Sequence, residues 1–103
     1  MLSLSAKSER LLKQLGVARA FERGETLVLV GPTYELRKSP GIRVRLAFLH
    51  DDEGRLCVGY ASDDGGVWQT VESEPFSRRA HGYYERRLKR IGEFVTEGAR
   101  GRR

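Results

Sequence analysis

An α+β fold is predicted for this chain: an N-terminal helix, a four- to five-stranded antiparallel β-meander, and a C-terminal amphipathic helix packed on the sheet. Three observations predict it. Apolar residues recur at helical spacing towards both ends, they alternate with polar ones through residues 26–72, and the alternating stretch is cut by "GP", "SPG", "DDEG" and "DDGG", which are turn sequences. A length of 103 residues fits one domain, taken as 1–97, with 98–103 as a mobile basic tail of glycine and arginine that has nothing to pack.

The first helix is written in "SAKSERLLKQLG". Ser5 is a good capping residue, Leu4, Leu11, Leu12 and Leu15 share a face, and Gly16 stands where a helix would stop. Val17 and Phe21 would leave the leucine face if the helix ran on, so a turn is expected at Gly16, with a second helical turn ending at Gly24.

The strand candidates are "TLVLV", "TYELRK", "IRVRLAFLH", "RLCVGYAS" and "VWQTVE". Between the third and fourth, a three-residue loop of Asp52, Glu53 and left-handed Gly54 sets Phe48 opposite Val58 and Leu46 opposite Tyr60, giving one apolar face. The other face then carries Arg43, Arg45 and Ala47 beside Cys57, Gly59 and Ala61. A two-residue Asp64-Gly65 turn would bring Trp68 next to Ala61 and Thr70 next to Gly59. Two uses of that second face compete. In one, a helix packs on its small residues and Trp68 is core; in the other, Trp68 is a stacking platform while Arg43 and Arg45 hold a phosphate or carboxylate.

The last helix is expected within "FSRRAHGYYERRLKRIGEFV". Phe76, Ala80, Tyr84, Leu88, Ile91 and Val95 fall on one side, with Tyr83 and Phe94 at its margin. Arg79, Arg86 and Arg90 line one flank with Tyr83 beside them, and Arg87 must reach outward over the apolar stripe. Glu85 precedes Lys89 by four residues, the favourable order for an ion pair. Gly82 and Gly92 weaken the helix by about 1 kcal/mol each relative to alanine.

Composition bounds the function. With 39% hydrophobic and 32% charged residues the chain reads as a globular protein, too small for a deep cofactor pocket, and no cofactor is expected. A net charge of +5 and a pI near 9.8, carried largely by arginine, favour an anionic partner such as nucleic acid or an acidic protein. Cys57 is the single cysteine, so no internal disulfide can form. No apolar run is long enough to span a membrane and none reads as a leader; a cytoplasmic location is expected.

Catalytic signals are sparse. His50 and His81 are the only imidazoles; with arginines and tyrosines they could cleave RNA by general acid–base chemistry if they met. They are expected apart, His50 at a strand end and His81 on the polar side of the helix. Neither "HDDE" nor "SDDGG" has the ligand spacing of a calcium loop, and two histidines with one cysteine fall short of a zinc site. "GPTYELRKSPG" lacks the Gly-Lys-Ser/Thr ending of a phosphate-cradling loop. Cys57 reads as a small buried residue. The expected function is a non-enzymatic basic module whose partner is nucleic acid or another polyanion, contacted by Arg79, Tyr83, Arg86 and Arg90, with Arg43, Arg45 and Trp68 as further candidates. A protein-interaction adaptor is the alternative, and a small endoribonuclease the third.

Overall fold

The computed structural model describes residues 4–95, and the basic tail expected at 98–103 lies outside them. Ser5 caps α1 (Ala6–Leu15), its side chain accepting a hydrogen bond from the Ser8 backbone N–H at 3.2 Å. Gly16 adopts a left-handed conformation (φ 74°) that ends α1 and starts α2 (Val17–Glu22) at once. The change of direction at Gly16 lets Val17 and Ala20 enter the core.

Five antiparallel strands follow: β1 (Leu27–Leu36), β2 (Arg43–His50), β3 (Leu56–Asp63), β4 (Trp68–Pro75) and, after α3 (Arg78–Ile91), the short β5 (Gly92–Phe94). Their order in the sheet is β4-β3-β2-β1-β5, so the meander is the expected one with a strand added beside β1. The fifth strand is not the one anticipated. "TLVLV" and "TYELRK" are a single strand, because left-handed Gly31 (φ 80°) makes Gly31-Pro32 a bulge instead of a turn. Val30 pairs with Leu46 and Tyr34 with Val44, leaving residues 31–33 opposite Arg45 alone.

β5 comes from chain that helical spacing had assigned to the last helix. Gly92 turns into extended backbone (φ −135°, ψ 169°) and packs so tightly on β1 that a Cβ there would lie 2.7 Å from the Cβ of Tyr34. Phe94 therefore pairs with Tyr34 across the sheet, and the Val95 N–H donates to the Thr33 carbonyl at 2.8 Å. Gly82, in contrast, lies inside a helix that runs on through it.

The β2–β3 hairpin has the predicted register, Phe48 opposite Val58 and Leu46 opposite Tyr60, with Gly54 left-handed (φ 80°). Asp51 braces its loop by accepting from the Glu53 and Arg55 backbone N–H groups, each at 2.9 Å. Hydrogen bonds from Arg55 and then Glu53, with the nearby Arg55 charge, hold the Asp51 carboxyl below its ordinary range. The β3–β4 connection departs from expectation. Trp68 pairs with Asp63 and Thr70 with Ala61, so four residues, 64–67, make the turn. The cause is Asp63, whose side chain accepts from the Gly66 N–H at 2.8 Å while Gly65 and Gly66 both take positive φ. Register then shifts once more, leaving Val71 as the bulged residue.

One contiguous core joins Val28, Val44, Leu46, Phe48, Val58 and Tyr60 of the sheet to Leu12, Val17 and Ala20 of the first helices and to Phe76, Ala80, Tyr84 and Leu88 around α3. By strand alternation these sheet residues share one face. The helix thus packs on the Phe48 face and not on the one bearing Trp68, and among the described residues no helix lies over the latter. Ala47, Cys57 and Ala61 are nevertheless buried on that second face. There the β4 backbone passes over Gly59: a Cβ on Gly59 would lie 1.8 Å from the Glu72 carbonyl oxygen.

Candidate functional site

Ser77 starts α3 by accepting a hydrogen bond from the Ala80 N–H at 3.0 Å, and this sets the phase of everything beyond. With Ala80, Tyr84 and Leu88 facing the sheet, Arg79, Tyr83 and Arg86 come to line a groove whose opposite wall is Glu72 and Glu74 of the edge strand β4. Arg90 continues the row one turn further along the helix. Arg79, Arg86 and Arg90 are exposed and make no ion pair among the described residues. Other arginines are engaged: Arg23 with Glu25 at 3.0 Å, Arg55 with Asp51 at 2.9 Å, and Arg87 with Glu72 at 3.4 Å.

Tyr83 is 37% exposed, its ring edge-on to Tyr84 with centroids 5.0 Å apart. Arg87 reaches over the apolar stripe as expected and lies 5.9 Å from the centre of the Tyr60 ring. Tyr84 donates to Glu72 at 3.4 Å; burial, then the charges of Glu72 and Glu74, push its hydroxyl up to about 12. The groove is therefore of mixed charge, a point composition could not show.

The sheet candidates form a separate group. Arg43, Asp63 and Trp68 make one row across β2, β3 and β4, and Arg43 is ion-paired with Asp63, which is only 5% exposed. Arg45 directs its Nε and Nη2 onto the Gly31 carbonyl at 3.1 and 2.9 Å. Trp68 is half-buried. The structure thus places both arginines in internal interactions and brings neither to the α3 groove.

His81 is not on the polar side of α3. It is buried, its ring stacked on Phe48 at 5.9 Å with Nδ1 3.7 Å from Glu85, because the sheet-facing arc of the helix is wide enough to take position 81 beside Ala80 and Tyr84. Its Nε2 is buried without a hydrogen-bond partner among the described residues. His50 instead lies against Phe21, with centroids 4.3 Å apart. Cys57 is buried, and burial pushes its thiol up, away from the reactive thiolate. Among the described residues no group of three His, Cys, Asp or Glu side chains is placed to hold a metal, and no helix is long and apolar enough to cross a membrane.

Sequence reasoning missed a further cationic cluster, formed between α1 and the first residue of α3. Lys7, Arg10, Leu11 and Gln14 of α1 line a pocket of about 230 Å³ with Arg78. Only the i, i+3, i+7 spacing of Lys7, Arg10 and Gln14 hinted at it, and that spacing could not say what faced them. Compared with known families, curated proteins and solved structures, the chain shows no match. Fold and groove together define a small α+β domain with a row of arginines along its last helix.

Proposed function

We propose that the protein is a non-enzymatic binding module for nucleic acid or another polyanion, contacted through Arg79, Arg86 and Arg90 with Tyr83 as a stacking surface. The observation that carries this is their arrangement: three exposed arginines without a carboxylate partner among the described residues follow one flank of α3, with the exposed Tyr83 ring beside them. Guanidinium groups spaced along one helix flank suit successive phosphates, and an exposed ring in the same row suits an unstacked base. The test is a titration with labelled single-stranded RNA, single-stranded DNA and duplex DNA across a salt series. Binding that weakens steeply with salt supports the reading; no binding at low salt removes it.

A second reading, an adaptor for another protein, draws on a different observation. The sheet face bearing Trp68 has no helix over it among the described residues, and Val67 and Val71 beside it are 61% and 50% exposed. Co-purification with a partner at fixed stoichiometry, unaffected by nuclease, would favour it.

A further inference from the structure

The α3 groove and the α1–α3 pocket differ in charge. The groove sets Arg79 and Arg86 against Glu72 and Glu74, whereas the pocket gathers Lys7, Arg10 and Arg78 around Leu11 and Gln14 with no carboxylate in its lining. None of the three cations makes an ion pair among the described residues, and all are exposed. Like charges lining one pocket repel, and the first turn of α3 holds no acidic residue to offset the arginines at its positive end. Folding alone gives no reason for such a cluster, but an anion would relieve it. Two flexible guanidinium groups, an ammonium and a side-chain amide supply donors from two walls, which is what a tetrahedral phosphate requires.

We infer that the pocket of Lys7, Arg10, Gln14 and Arg78 is a second phosphate seat. It rests on the polyanion reading above and deepens it. Arg78 and Arg79 are consecutive on α3 and line different surfaces, Arg78 the pocket with α1 and Arg79 the groove with β4, so a nucleic acid backbone laid across the start of α3 meets both. The pocket, lacking acidic residues, is the stronger of the two contacts.

The experiment compares the wild-type chain, K7Q/R10Q/R78Q and R79Q/R86Q/R90Q by anisotropy of labelled oligonucleotides over a salt series. Melting with and without inorganic tripolyphosphate is followed in parallel. The pocket variant is expected to melt no lower than wild type, to bind about tenfold or more weakly, and to lose about 0.7 of salt slope per phosphate contact removed on a single strand. Tripolyphosphate should raise the melting temperature of wild type and not of the pocket variant. If the pocket variant binds and melts like wild type while the groove variant loses binding, the second seat is wrong and the polyanion reading stands. If no oligonucleotide binds but tripolyphosphate stabilises wild type alone, the seat belongs to a free oligophosphate and the nucleic acid reading falls. If neither ligand has an effect, both fall.

Discussion

Arg45 of β2 donates two hydrogen bonds, from Nε and Nη2, to the carbonyl oxygen of Gly31 in β1. The residue that had been a candidate for gripping an external phosphate is thus the clamp on the bulge that keeps β1 continuous. Arg45→Ala should lower the unfolding free energy by about 1 kcal/mol, since the bonds are solvent-exposed. Gly31→Ala should cost a similar amount, because φ is 80° there. Urea denaturation measures both, and an unchanged midpoint for either variant would contradict the clamp.

Two glycine substitutions should act in opposite directions. Gly59→Ala drives a methyl into the β4 backbone, 1.8 Å from the Glu72 oxygen, and should destabilise by at least about 2 kcal/mol. Gly82→Ala meets only the mobile end of Arg86 at 3.3 Å, and should stabilise by about 0.5–1 kcal/mol through helix propensity. Thermal melts of the pair distinguish a packed β4 crossing from a loose edge.

The Tyr84 hydroxyl, pushed up to about 12 in the folded chain, gives an alkaline signature. Its unfolded value is near 10, so the neutral side chain adds stability that is fully present below pH 10 and is lost as pH rises from there to about 12. Unfolding free energy should fall by up to about 1.4 kcal/mol per pH unit in that window from this group. Tyr84→Phe should flatten the loss. Ultraviolet titration of the folded protein should show one tyrosine ionising late, and simultaneous ionisation of all four would oppose this.

Tyr83→Ala should separate binding from folding. The ring is more than one-third exposed, so melting should shift little, whereas stacking of a base would be lost at about 1–3 kcal/mol of affinity. An equal loss of binding for Trp68→Ala would instead move the aromatic contact to the sheet face.

Much of the fold could be read from local chemistry. Ser5 and Gly16 bracket α1, and Gly54 with the alternation around Phe48 fixes the β2–β3 register, because each depends on residues close in sequence. What could not be read depends on side chains bonding at a distance or on tertiary packing. Asp63 lengthens its own turn by capping Gly66, Arg45 clamps the bulge that left-handed Gly31 makes, and Gly92 fits against Tyr34 to make a strand from helical spacing. The arginine row was legible because helical spacing alone puts Arg79, Arg86 and Arg90 together. Its acidic opposite wall and the α1–α3 pocket were not, since both need the packing of elements far apart in sequence.

The most direct test of the arginine row is the salt dependence of nucleic acid affinity for wild type against R79Q/R86Q/R90Q. The variant is expected to bind more weakly, with a plot of log affinity against log salt that is shallower by about 2 for three lost contacts on a single strand. Wild-type affinity with an unaltered slope in the variant would contradict it.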